Sequence, residues 1–352
     1  MHLFDSLTLG AVQLKNRIFV SPMCQYSANE GHPTAWHLVH LGSRAVGGAA
    51  LVLTEATAVE ARGRISPADS GIWLDSQADA WAPIARFIAE QGAVAGMQLA
   101  HAGRKGSTAV PWKGGKEVVA DQGGWPTLAP SAVAFAEGYP TPAAMTVADI
   151  DTVVSAFAAG ARRAHAAGFR VLEIHAAHGY LIHEFLSPLS NQRQDAYGGS
   201  FENRIRLAHR VVAAVRDAVP AGTALLLRIS ATDWTEGGWD LEQSSALVES
   251  LKGEGIDLVD VSSGGNVASA TVPVGPGYQT PFAAAIRQRT GVPTGAVGML
   301  VAPAQADHVV RTGQADAVLL ARELLRDPYW PRRAAQELGV KIAGPVQYTR
   351  AW

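Results

Sequence analysis

The sequence predicts an α/β fold, a (β/α)8 TIM barrel, and two observations point to it. Eight short apolar runs recur along the 352 residues, and eight segments with helical periodicity alternate with them. Each run is near-continuously apolar rather than alternating, as parallel strands buried on both faces require. A doubly wound sheet is the competing arrangement, but eight regular units without a composition break favour closure.

In chain order, the strands are expected at RIFVSPM (17–23), ALVLTEA (50–56), VAGMQLAH (94–101) and RVLEIHAAH (170–178). They continue at ALLLRIS (224–230), LVDVSSG (258–264), PTGAVG (293–298) and AVLLARE (317–323). Helices are expected over 34–48, 79–92, 146–168, 202–219, 241–255, 280–291, 303–313 and 328–339, several of them ending in Gly, a usual helix stop. Residues 1–16 read as a β-hairpin around Gly10 that caps the barrel's N-terminal mouth. Residues 106–145, rich in Gly, Pro and Trp and without helical period, read as a long excursion over the C-terminal mouth after strand 3. Residues 340–352 form a tail, and the whole of 1–352 reads as a single domain.

A chain that is 48% hydrophobic and 17% charged can build a large core and is not a disordered polymer. Its formal charge of −2 comes without any basic cluster, so nucleic acid and anionic membrane surfaces have no electrostatic footprint here. The single cysteine, Cys24, excludes an intramolecular disulfide framework and fits a reducing compartment. The first residues lack a basic segment followed by an apolar block, so no secretory signal is expected. The longest uncharged stretch, between Asp260 and Arg287, holds too much Gly, Ser and Pro for a spanning helix. A cytoplasmic globular protein is the expectation.

In such barrels the chemistry sits at the C-terminal ends of the strands. Those ends carry Cys24, Ala56, Gln98, His101, His175, His178, Arg228, Gly264, Gly298 and Arg322. Arg228, inside the apolar run ALLLRIS, is costly to bury unless an anion meets it, either a ligand or an internal ion pair. Strands 7 and 8 often build a phosphate site in this fold, and here they end in Gly298 and Arg322. His175 and His178, two imidazoles from one strand end, would also suit a metal-dependent lyase or hydrolase, but that needs further ligands, and no metal is expected. Glu184 is placed in a loop, and His37, His40 and His183 read as structural. A non-catalytic cofactor- or phosphate-binding scaffold is a third reading, which nothing in the sequence favours.

Several stretches together resemble the old yellow enzyme family across essentially the whole chain. They are NRIFVSPMCQYS, QLAHAGRK, EIHAAHGYLIHEFLSPLSNQRQDAYGGSFENR, LLRISATD and ARELLRDPYW. Cys24 and the ending PVQYTRAW resemble the thermophilic-like, xenobiotic-reductase-related branch. The resemblance implies an FMN-dependent NADPH dehydrogenase or 2-enoate-type flavin oxidoreductase on a TIM barrel. NADPH or NADH would visit as a transient hydride donor, and the substrate would be an activated alkene: an enone, a maleimide or a nitro compound.

The resemblance also implies residue roles. Ser21, Pro22, Met23, Cys24, Ala56, Gln98, Arg228, Gly298 and Arg322 match cofactor-binding positions, with Arg228 beside the N1–C2 carbonyl and Gly298 and Arg322 at the phosphate. His175 and His178 match the pair that holds the substrate's carbonyl oxygen, and Tyr180 matches the proton donor. Tyr26 and Lys105 match pocket-wall positions. Arg350 matches a residue reaching into a neighbouring subunit's site, which implies a homodimer or homotetramer. Many relatives have Gly before the strand 8 Arg, where this chain has Ala321, and the loop 106–127, with Trp112 and Trp125, is longer than in the leanest relatives.

Overall fold

The structure is a computed structural model that describes residues 1–351. Eight parallel strands close into a barrel in sequence order. They are β1 (Ile18–Val20), β2 (Leu51–Ala58), β3 (Val94–Ala100) and β4 (Val171–Ala176), then β5 (Ala224–Ser230), β6 (Leu258–Ser262), β7 (Thr294–Ala296) and β8 (Ala317–Leu320). All eight coincide with the expected apolar runs, though β1 is shorter, so Ser21–Cys24 lie beyond its C-terminal end. The ring closes where Val318 of β8 pairs with Ile18 of β1.

The eight expected helices are present, from α1 (Ala35–Val46) and α2 (Asp75–Glu90) to α3 (Val147–Ala166) and α4 (Phe201–Ala218). They continue as α5 (Leu241–Leu251), α6 (Thr280–Thr290), α7 (Pro303–Arg311) and α8 (Trp330–Glu337). Their apolar stripes supply Trp81, Phe157, Val211 and Ile286 to a core between the helix ring and the sheet. Two short helices were not foreseen: Leu181–Leu186 after β4 and Arg322–Arg326 after β8. Glu184 therefore sits on a helix rather than in a loop, fully buried. Six residues give less than two turns, too few for a hydrophobic period to show in sequence.

The N-terminal hairpin pairs Leu7–Leu9 with Val12–Leu14 across a two-residue turn. Gly10 supplies the positive φ (+54°) that such a turn needs at its first position. Leu9, Val12 and Leu14 join one apolar cluster with Phe19, Leu51, Val171, Leu226, Leu258 and Leu319 from the strands. The hairpin thus closes the barrel's floor, leaving the opposite end for ligands. The excursion after β3 is held by two 3-10 turns, Pro111–Lys113 and Ala120–Gln122, and a two-residue pairing of Leu128–Ala129 with Ala143–Ala144. Among the described residues, no helix is long and apolar enough to cross a membrane.

The tail runs beside the barrel floor. Residues 340–347 line a cavity of about 650 Å3 together with Lys15, Asn16, Gly48, Gly92 and Arg332. Trp330 is buried in the core, as a packing residue, while Trp352 lies outside the described residues.

Candidate active site

Strand register brings the polar residues of the mouth together. His175 of β4 is the register neighbour of Arg228 on β5, which in turn neighbours Asp260 on β6. One pair lower in the barrel, Gln98 of β3 neighbours Glu173 of β4. Because alternate residues of a strand share a face, Glu173 and His175 point the same way.

Arg228 is almost wholly buried and faces an internal anion after all: its Nε lies 3.0 Å from Asp260 Oδ2. Its terminal nitrogens have no hydrogen-bond partner among the described residues. Gln98 donates from Nε2 to Glu173 Oε1 (2.8 Å), which leaves the Gln98 carbonyl oxygen unpartnered. Burial, then the neighbouring Asp260, pushes the Glu173 carboxyl above the usual carboxylate range. Burial raises Asp260 as well, against the pull of Arg228. One guanidinium therefore faces two carboxyls in a site without water access, and the arrangement favours a proton on one of them.

Above this layer, the His175 and His178 rings meet edge to face at 5.1 Å, and Tyr180 packs 5.0 Å from His175. Burial, then the Arg228 charge, pushes both imidazoles well below their ordinary range, so both are neutral. His175 Nδ1 accepts from the Ala177 amide, which puts its proton on Nε2. His178 Nε2 lies 2.8 Å from Ser262 Oγ. The same hydroxyl lies 3.3 Å from Gln279 Oε1, a second acceptor; given to the nearer His178 Nε2, it leaves the His178 proton on Nδ1. The outcome is two N–H donors on neighbouring, perpendicular rings. Burial also pushes the Tyr180 phenol well above its ordinary range, keeping its proton at neutral pH.

The turn carrying these groups is strained and braced. His178 has φ +59° and Gly179 +72°, and a Cβ at Gly179 would lie 2.3 Å from Gly265 O. The Gly179 amide donates to His183 Nδ1 (2.9 Å), and His183 Nε2 lies 2.9 Å from Asp233. His183 is structural, as are His37, 2.7 Å from Glu55, and His101, 2.8 Å from Glu60.

On the other wall, Cys24 is partly buried, and its thiol is pushed well above its ordinary range by burial and then by Asp69 and Glu55. Tyr26 neighbours that thiol and meets Trp112 edge-on at 5.7 Å. Trp112, 68% exposed, thus stands at the rim of the mouth. Trp125 instead donates to Arg62 O (2.9 Å), just beyond the end of β2. Ala56 lies beside Gln98 in register, after an irregularity in β2. Ser21 has a buried hydroxyl without a partner.

Gly298 and Arg322 share a cavity of about 490 Å3 at the ends of β7 and β8. A side chain at Gly298, where φ is +117°, would meet Gln279 and Tyr278. Arg322 is exposed and makes no hydrogen bond or ion pair among the described residues. Ala321 has φ −104°, a value that needs no glycine. Lys105 turns its ammonium onto His178 O and Gly265 O, and Arg350 is exposed.

Sequence reasoning passed over Asp260, Glu173 and Ser262. The signal was present, since an acid inside LVDVS or VLEIHA is as anomalous as Arg228 inside ALLLRIS. Among the described residues, no three of His, Cys, Asp and Glu gather as a metal-ligand set, and the His pair has cationic neighbours instead.

Glu184 gives the site a pH signature. Burial pushes its carboxyl up to about 8 from 4.5, against the pull of Arg104 and Lys105. The folded chain keeps a proton there that the unfolded chain has lost, so stability falls as pH rises from about 4.5 to about 8. Glu184→Gln should flatten this slope, measured as unfolding free energy by denaturant titration across the window. An equally steep slope in the variant would contradict the assignment.

The chain matches the NADH:flavin oxidoreductase / NADH oxidase family over residues 2–340. An NADPH dehydrogenase from Geobacillus thermodenitrificans (strain NG80-2) is 50% identical over 352 residues, 99% of this chain and 98% of that protein. Morphinone reductase in complex with tetrahydroNAD is similar in structure, with a TM-score of 0.79 at 26% identity, covering 98% of this chain and 93% of its own. A 2-naphthoyl-CoA reductase bound to 2-naphthoyl-CoA gives a TM-score of 0.86 at 25% identity over 96% of this chain, which spans 52% of that larger protein. The chain belongs to the NADH:flavin oxidoreductase, or old yellow enzyme, family, and is an oxidoreductase that uses FMN with NADPH or NADH as electron donor.

Proposed function

We propose that the protein is an ene-reductase acting on activated alkenes: α,β-unsaturated carbonyls, maleimides and nitro compounds. The observation that carries this reading is the convergence of two neutral imidazole N–H donors and a protonated phenol beside the Arg228 guanidinium.

The residues present fit FMN. Arg228 has unpartnered terminal nitrogens for an electron-rich ring edge, Gln98 an unpartnered carbonyl oxygen for a ring N–H, and Ser21 an orphaned hydroxyl. Pro22, Met23, Cys24 and Ala56 would line the ring, and Gly298 with Arg322 would take the phosphate at their shared cavity. Bound there, FMN would supply hydride chemistry between NADPH or NADH and the β-carbon of the alkene.

The chain's own groups do the rest. His175 Nε2–H and His178 Nδ1–H donate to the substrate oxygen on which negative charge develops. Each such preorganised donor is worth roughly 3 kcal/mol in a dry site. Neutral imidazoles suit this task, because no proton is passed to the oxygen prematurely. Tyr180 gives its proton to the α-carbon, and Tyr26 bounds the pocket, while the Lys105 ammonium is taken up by His178 O and Gly265 O. Cys24, held as a thiol, would sit against the ring edge and tune it.

Replacing Tyr180 by Phe should slow reoxidation of the reduced enzyme by cyclohexenone about a hundredfold, within the range of general acid catalysis. Flavin reduction by NADPH should stay within about twofold of wild type, both read by anaerobic stopped-flow absorbance. Equal damage to both half-reactions would remove Tyr180 from the donor role.

The tail supports a subunit-crossing role for Arg350. Residues 340–347 lie along the barrel floor, away from the chain's own mouth, so a site that Arg350 completes belongs to a second subunit of a homodimer or homotetramer. Truncation before Arg350 should raise KM for the enone while sedimentation shows the same oligomer. Unaltered kinetics in a truncated oligomer would count against it.

A further inference from the structure

One ammonium ties three loops of the mouth together. Lys105 Nζ donates to His178 O at 2.8 Å and to Gly265 O at 2.9 Å. It also lies 5.2 Å from the Tyr180 ring centroid and 4.4 Å from that of Phe135. The loops it joins are in backbone contact, since a Cβ on Gly265 would lie 2.6 Å from His178 Cα. Next to it, the Arg104 amide donates to Glu184 Oε1 (2.9 Å) and the Arg104 guanidinium to Asn266 O (2.8 Å). A left-handed histidine persists only when its surroundings impose it, and this clasp does so.

We infer that Lys105 is a positioning residue for the alkene half-reaction: it locks the His178 turn and presents a cation to the Tyr180 ring. The inference rests on the donor reading of Tyr180. An ammonium over a phenol ring favours the negative charge that the phenol gains on giving up its proton. Two of its three protons are spent on carbonyls behind the turn, which makes it a poor substrate ligand.

Geometry gives this role a titration. Burial lowers the ammonium to about 8, with Glu184 opposing and Arg104 adding to the fall. The cation is present below that value and lost as pH rises through it. The other groups facing it are His175, His178 and Tyr180 at the end of β4; both imidazoles are already neutral there, and the phenol is protonated. Glu184, pushed up to about 8, titrates in the same window and needs its own control.

The test is the rate of reoxidation of NADPH-reduced holoenzyme by cyclohexenone from about pH 6 to about pH 9. Wild type should show an alkaline fall near pH 8. Lys105→Met should be on the order of tenfold slower at neutral pH and lack that fall, a loss of the size a desolvated cation–π contact supplies. Lys105→Arg, always charged, should restore most of the rate and carry it past pH 8, and it decides the matter if the Met variant does not fold. Glu184→Gln should retain the alkaline fall.

A Lys105→Met enzyme with the wild-type rate and profile would overturn the inference. So would a loss confined to KM, which marks a wall contact, or a fall abolished by Glu184→Gln. Tyr180→Phe in the same assay separates the two readings. If it is slow and Lys105→Met is not, the Lys105 inference alone fails. If Tyr180→Phe is not slowed, the donor assignment fails first.

Discussion

The mouth of this barrel is organised around one buried guanidinium. Arg228 stands between Asp260 on one neighbouring strand and His175 on the other, with Glu173 beneath His175 on the same strand. Two carboxyls against one cation leave a negative excess unless a proton is retained, and burial favours retaining it. The Asp260 contact uses only the Nε side of the fork. The terminal nitrogens have no hydrogen-bond partner among the described residues, which leaves part of an expensive buried charge for a ligand.

That same cation shapes the residues above it. Its field, added to burial, keeps His175 and His178 neutral, so each carries one proton that its other nitrogen's partner can fix in place. Burial keeps the Tyr180 proton on its oxygen. Two imidazole N–H groups and a phenol O–H thus coexist within a few ångströms, each held in one protonation state by a different local cause. The strained turn that aims them is braced by neighbours from other loops.

The fold was legible because parallel strands buried on both faces leave long apolar runs, and the helices between them keep their period. ALLLRIS and AVLLARE announce strands without ambiguity. The helix Leu181–Leu186 was not legible, being shorter than two turns. Strand-end arithmetic found His175, His178, Arg228 and Gln98, since the barrel dictates where strand ends converge. The Asp260 and Glu173 partners were readable by the same anomaly as Arg228. The Lys105 clasp was not readable at all: its acceptors are backbone carbonyls of residues 73 and 160 positions away, which no side-chain pattern encodes.

If the Arg228 fork is what makes the mouth hospitable to an electron-rich flavin edge, the reduction potential of the bound FMN reports it. The charge-balanced pair Arg228→Met with Asp260→Asn removes the cation without stranding its carboxylate, and anaerobic redox titration compares it with wild type. The account predicts a lower potential in the double variant, because the electron-rich form has lost its counter-charge. A potential equal to that of wild type would contradict it.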